Sequence, residues 1–251
     1  MRSDRDVAER AVRAGAAAVL GVAGDALAVR RKGAPADLVS AADRAGEEAI
    51  VALLRRERPD DAITGEEGAD VGGATRRWLV DGIDGTVNFL RAIPQWCVAV
   101  ALERDGEPLA AAVLDPVRDE LFSAVRGEGT TRDGAALRVR AGAPLPEAVI
   151  SSFLRADKLR GADAVAAFGP LVAAPGVLRM GGAGSLELAW LAAGRLDGWA
   201  QPHVSPWDWQ PGRLLVQEAG GRTGLVDGDP LTWHVAAAPG TFDELCDLLR
   251  P

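Results

Sequence analysis

The sequence predicts a mixed α/β protein in which helical and sheet layers stack on one another. Three observations carry that expectation. Short apolar runs that read as buried strands stop abruptly at glycines and acids. Apolar residues at helical spacing lie between them. The 251 residues, 48% hydrophobic and 25% charged, suffice for a large core in one compact unit or two joined halves.

In chain order, a helix spans about Asp4 to Leu20, and a polar loop follows through Lys32 and Asp37. A second helix covers Asp43 to Arg56. Ala62-Ile63-Thr64 and Trp78-Leu79-Val80 are short strand runs, and three more strands fall at Gln95–Leu102, Leu109–Leu114 and Glu120–Ala124. Pro144-Leu145-Pro146 marks the joint between an N-terminal half, 1–142, and a C-terminal half, 143–251. Beyond it come a helix near Lys158–Phe168, a strand at Val177–Arg179, a helix at Ser185–Ala193 and a strand at Leu196–Ala200. Pro206-Trp207-Asp208-Trp209 opens a helix closed by Gly220-Gly221, with Asp208 near its N-cap and Pro211 in its first turn, where a missing N–H breaks no helical bond. A strand at Val235–Ala237 and a helix from Thr241 complete the chain.

Three acidic stations sit at the ends of these elements. Trp78-Leu79-Val80 reads as a buried strand ending in a tight turn, Asp81-Gly82-Ile83-Asp84-Gly85-Thr86. Carboxylates that close repel each other unless a cation lies between them, and hard oxygen ligands suit Mg²⁺ or Mn²⁺. Gly85 and Thr86 add backbone N–H groups for an anion. Taken alone, this turn fits a solvated Asp-Gly loop equally well. The regular spacing of a calcium loop is missing. Gly65-Glu66-Glu67-Gly68 and Trp207-Asp208 repeat the pattern, and together the three stations favour a metal-assisted phosphate site.

These residues resemble the ordered motifs of the inositol monophosphatases, lithium-sensitive, Mg²⁺-dependent phosphomonoesterases. The likeness runs from about residue 30 to the C-terminus. It takes in Ala36 to Asp43, Gly65-Glu66-Glu67, Trp78 through Phe89, Gly127-Glu128-Gly129 through Asp133-Gly134, Trp207-Asp208 and Glu218 to Gly221. The resemblance implies a layered αβαβα sandwich of the sugar-phosphatase type and a homodimer. It implies a first Mg²⁺ held by Glu66, Asp81 and the Ile83 carbonyl, and a second held by Asp81, Asp84 and Asp208. It adds a third ion near Glu66, with Mn²⁺ as a substitute. Thr86, hydrogen-bonded to Asp43, would orient the attacking water, and Gly85 and Thr86 would receive the phosphate. Asp84, Gly184, Ser185, Leu186, Gln201 and Asp208 would face the substrate, a small phosphorylated polyol or sugar. Lys32 and Asp37, on the early loop, read equally as closing over the metals or as an exposed loop pair.

Two positions depart from the family pattern. Gly82 stands where proline is usual, which predicts a less rigid turn. Gln201 stands where inositol-cleaving members often carry glutamate; it still exchanges hydrogen bonds with a polyol but weakens the case for myo-inositol itself. Val87-Asn88-Phe89 after the threonine, where histidinol-phosphate and 3′-phosphonucleotide phosphatases commonly place lysine, favours the inositol branch; fructose-1,6-bisphosphatases share the metal turn and stand as a further alternative. A non-catalytic, metal-dependent regulatory protein is the alternative from another class.

Other features narrow the function. The net charge of −8, from 28 basic and 36 acidic residues, argues against a nucleic-acid surface, whose affinity depends on basic side chains. Bound cations would supply the attraction for an anionic substrate. No run of eighteen apolar residues and no signal-like start is present, and Cys97 and Cys246 lack metal or redox spacing, so a cytoplasmic protein with reduced thiols is expected. Met180-Gly181-Gly182-Ala183-Gly184-Ser185 lacks the lysine of a nucleotide loop and reads as a tight strand-to-helix turn. His203 and His234 have no nucleophile motif near them, which argues against a covalent triad.

Overall fold

The computed structural model describes residues 2–22, 30–31, 38–39, 41–72, 75–154, 165–228 and 230–250. Its helices are α1 (Asp4–Val22), α2 (Ala41–Glu57), α3 (Thr86–Leu90), α4 (Gly169–Ala173), α5 (Gly184–Ala192), α6 (Pro206–Glu218) and α7 (Pro239–Leu249). The strands are β1 (Arg30–Arg31), β2 (Leu38–Val39), β3 (Ala62–Gly65), β4 (Asp70–Val71), β5 (Arg76–Asp84), β6 (Cys97–Arg104), β7 (Glu107–Asp115), β8 (Glu120–Val125), β9 (Gly129–Arg132), β10 (Ala135–Ala136), β11 (Val149–Ser151), β12 (Val177–Arg179), β13 (Gly198–Pro202), β14 (Arg222–Gly228) and β15 (Leu231–Ala237).

β3 to β10 form an eight-stranded sheet in the order β10-β9-β8-β7-β6-β5-β3-β4, antiparallel except for the β3–β5 pair. β11 to β15 form a five-stranded sheet, β12-β11-β13-β15-β14, in which β11 runs parallel to both neighbours. Three cores separate five layers. The first joins α1 and α2 to one face of the large sheet through Val12, Ile50, Leu54, Trp78, Val80 and Val100. The second buries Ala99, Val113 and Phe122 from the other face against Leu186 and Leu188 of α5 and Leu214 and Leu215 of α6, with Trp199 and Ala236 of the small sheet beyond. The third packs Ile150, Trp233 and Val235 against Phe242 and Leu245 of α7. This is the αβαβα sandwich. Strict alternation along β6 decides the first two cores: Val98, Val100 and Leu102 face α1 and α2, whereas Cys97, Ala99 and Ala101 face α5 and α6.

Several elements differ from the sequence expectation. β5 does not stop at Val80 but continues through Asp84, with its register against β6 shifting between Asp81 and Asp84. The turn comes at Gly85, whose φ of 99° is left-handed and favours glycine. β6 begins at Cys97, α5 one residue before Ser185, and β13 at Gly198; α7 starts at Pro239, two residues before Thr241. β15 is seven residues long because it pairs throughout with β14. α6 opens after an Ser205 N-cap, so Pro211 lies in its second turn and the Trp207 carbonyl loses its i+4 partner. Lys32, Asp37, Ser40 and most of the expected 158–168 helix lie outside the described residues. No described helix is long and apolar enough to cross a membrane.

Candidate metal centre

The three acidic stations converge. Carboxylate oxygens of Asp81, Asp84 and Asp208 all lie within 4.8 Å of one another. Asp81 and Asp84 come from the irregular end of β5, where the register shift turns both side chains inward instead of alternating them. Asp208 comes from the first turn of α6, an end that favours negative charge. Glu66 follows directly on β3, and its charge is felt at all three aspartates.

Electrostatics show how uncomfortable this grouping is by itself. Burial, then the charges of Glu66 and its two partner aspartates, pushes Asp81 well above the usual carboxylate range. Asp208 is raised in the same way, first by burial and then by Asp84 and Glu66. Asp84 is pushed up to about 6, chiefly by burial, and is held back from rising further by N–H groups of Ser185 and Gly184. Those bonds run from Gly184 N (3.2 Å) and Ser185 N (2.5 Å). One Asp81 oxygen accepts from the Ile83 N–H at 2.9 Å. The other is buried with no partner among the described residues. Clustered hard oxygens, one of them orphaned, fit a small divalent cation.

α2 organises the surroundings. Asp43, buried in its first turn, accepts from the Thr86 hydroxyl at 2.7 Å, and Thr86 Oγ1 lies 3.2 Å from the Ile83 carbonyl. One turn on, Glu47 accepts from the main-chain N–H groups of Glu67 (2.7 Å) and Ala69 (2.9 Å), which fixes the turn that carries Glu66. The helix comes this close because both contact positions are glycine. A Cβ on Gly82 would overlap the Asp43 carbonyl oxygen and lie 2.9 Å from Glu47 N; a Cβ on Gly46 would lie 3.0 Å from the Gly82 carbonyl oxygen. Gly82 is thus held close against the backbone of α2, which offsets the looseness expected of glycine in this turn.

Across the carboxylate cluster, Ser185 donates its hydroxyl to the Asp208 carbonyl at 3.1 Å, so α5 and α6 meet there. Leu186, by contrast, is wholly buried in the core, packed with Leu188 and the apolar residues of α6. Gln201 sits on β13 with its Oε1 3.7 Å from where a Gly184 Cβ would stand.

Sequence reasoning missed several contributors. Asn88 donates to the carbonyls of Gln95 and Gly181, both at 2.7 Å, and so ties α3 to the turn before α5. Glu187, pushed up to about 8 mainly by burial, accepts from Gln95 at 3.3 Å beneath that turn. Cys97, read only as a free thiol, lies 3.7 Å from Asp84. Asn88 stands inside the recognised motif, whereas nothing local singles out Glu47, Glu187 or Cys97.

Comparison with known proteins agrees with this geometry. The family model described as "Inositol monophosphatase family" matches residues 1–246. An inositol-1-monophosphatase of Rhizobium meliloti (strain 1021) is 43% identical over 208 residues, covering 80% of this chain and 77% of its own. The Nus factor SuhB of Escherichia coli (strain K12) is 34% identical over 242 residues, 90% of each chain. Among solved structures, the extragenic suppressor protein suhB of Bartonella henselae superposes with a TM-score of 0.89 at 32% identity over 97% of both chains. The inositol monophosphatase of Anabaena (Nostoc) sp. PCC 7120 gives 0.85 at 29% identity, over 98% of this chain and 94% of its own.

Proposed function

The chain belongs to the inositol monophosphatase family and is a phosphomonoesterase, and we propose that it hydrolyses inositol monophosphate or a related polyol or sugar phosphate with Mg²⁺. The convergence of Asp81, Asp84 and Asp208 within 4.8 Å, one oxygen of Asp81 orphaned, carries this reading. Glu66, Asp81 and the Ile83 carbonyl are the proposed holders of one ion, and Asp81, Asp84 and Asp208 of a second; Mn²⁺ is a chemically equivalent substitute. Bound divalent cations supply the positive charge that acidifies the attacking water and offsets the leaving alkoxide.

The chain's own residues do the rest. Thr86, already donating to Asp43, orients a water toward phosphorus, takes its proton at Oγ1 and passes its own proton to Asp43. The Gly85 and Thr86 amides receive the phosphate oxygens as charge builds on them. Gly184, Ser185, the Leu186 main chain and Gln201 flank the organic part of the substrate. The proposed halves, 1–142 and 143–251, contribute Asp43 to Thr86 and Gly184 to Asp208 respectively, so the site lies between them. The family resemblance supports a cytoplasmic homodimer.

Phosphate release from inositol 1-phosphate, other sugar monophosphates, fructose 1,6-bisphosphate, histidinol phosphate and 3′-phosphoadenosine 5′-phosphate tests the reading, with Asp81→Asn beside wild type. Mg²⁺-dependent turnover that is lost in the variant supports it, and near-normal turnover in the variant rules out the site assignment. A regulatory role is a second reading, favoured by the relatives called Nus factor SuhB. Tight Mg²⁺ binding without turnover of any of these esters would select it.

A further inference from the structure

We infer that His234 is a specificity-determining residue: with Gln201 it accepts hydrogen bonds from adjacent hydroxyl groups on the polyol part of the substrate. The inference rests on the phosphomonoesterase reading above and adds to it the chemistry of the substrate's far side. Gln201 and His234 are direct cross-strand partners of β13 and β15, so their side chains stand side by side on one face. That face looks into the middle layer. Trp199 and Ala236, in the same alternation phase, lie in the core beneath α5 and α6, whereas Ala200 and Val235 face α7.

The pair also adjoins the metal centre. Trp209, next to Asp208, packs edge-on against the His234 ring with centroids 5.1 Å apart. Gln201 abuts Gly184, whose N–H binds Asp84. Two acceptors here, Gln201 Oε1 and His234 Nδ1, are buried with no partner among the described residues. Buried acceptors are seldom left without donors, and nothing in phosphoryl transfer employs these two. Burial pushes the His234 pKa down, so the ring stays neutral and Nδ1 keeps a lone pair when Nε2 holds the proton. Two neighbouring acceptors need two neighbouring donors. A diol supplies them, whereas a carboxylate or a second phosphate does not.

The test compares inositol 1-phosphate with cyclohexyl phosphate, the same ring without hydroxyls, in wild type, His234→Phe and His234→Gln. Phenylalanine keeps the edge-on contact with Trp209 and removes the acceptor; glutamine returns one. The ratio of kcat/KM for inositol 1-phosphate to that for cyclohexyl phosphate should fall about tenfold in His234→Phe, the loss of one hydrogen bond. It should recover most of the way in His234→Gln, with the change in KM. An unchanged ratio in His234→Phe, or an equal fall in both variants, overturns the inference. Wild-type inactivity on both esters is a separate outcome that overturns the polyol-phosphate reading and this inference with it.

Discussion

Replacing Gly82 with alanine should damage the protein far more than a single methyl normally does. The added carbon overlaps the Asp43 carbonyl oxygen and stands 2.9 Å from Glu47 N, and both atoms belong to the backbone of α2, which cannot rotate aside. Ordinary non-bonded spacing of about 3.5–4.0 Å requires the helix to retreat by about 0.6–1.1 Å at Glu47, and by more at Asp43. The Asp43–Thr86 bond, now 2.7 Å, would then open beyond hydrogen-bonding range. The clamp of Glu47 on the Glu66 turn would loosen at the same time. Overpacking of this kind costs about 1–3 kcal/mol. At this chain length that lowers the melting temperature by about 2–12 °C. Displacing the water-orienting pair by an ångström should cut kcat about 100-fold with little change in KM. Thermal melting by circular dichroism and phosphate release at saturating substrate read the two effects. A Gly82→Ala protein with wild-type melting and wild-type kcat would refute the close-approach reasoning. A stability loss without a fall in kcat would refute the link from Gly82 to Thr86.

Other outcomes follow from the same site. Thr86→Ala should lower kcat about 100-fold or more while leaving Mg²⁺ affinity nearly intact, by isothermal titration; a change mainly in Mg²⁺ affinity would remove the water-orienting role. In metal-free protein, Asp81→Asn should raise the melting temperature, because it deletes a buried charge repelled by Glu66, Asp84 and Asp208; a lower one would mean the carboxylate is already compensated. Burial pushes the Asp84 carboxyl up to about 6 from its ordinary value, and Asp81 and Asp208 are shifted the same way. The folded state therefore holds these protons more tightly, and stability present below the unfolded pKa is lost as pH rises through the folded one. Saturating Mg²⁺ should accordingly raise the melting temperature more at about pH 7.5 than at about pH 5, and equal shifts would refute the repulsion account.

Much of the site was legible because its residues lie in short, ordered motifs. Asp81, Asp84 and Thr86 occupy one strand end, and Glu66 and Asp208 each follow a recognisable strand or open a helix. The five-layer arrangement likewise followed from the family likeness. Less legible was whatever depends on partners remote in sequence. Gly82 looked like a loosened turn until α2 was seen packed against it. Glu47 is one glutamate among several on a helix, and only the fold brings its carboxylate to the Glu67 and Ala69 amides. β14, with glycine inside and at its end, has turn-like composition and becomes a strand by pairing with β15. Pro211 suggested a helix starting later than Pro206 because proline is cheapest in a first turn; the packing of Leu214 and Leu215 outweighs that local preference.

The amides that stabilise the Asp84 carboxylate come from Gly184 and Ser185, a hundred residues further along the chain. Synthesis from the N-terminus therefore exposes Asp81 and Asp84 long before α5 and Asp208 exist. A nascent or proteolytically shortened chain would carry half of a cation trap, without the second wall that gives it shape. On the proposed site assignment, catalytic competence would require both sheets to be docked onto their shared helical layer. Opening of that layer would part Asp84 from the Gly184 and Ser185 amides.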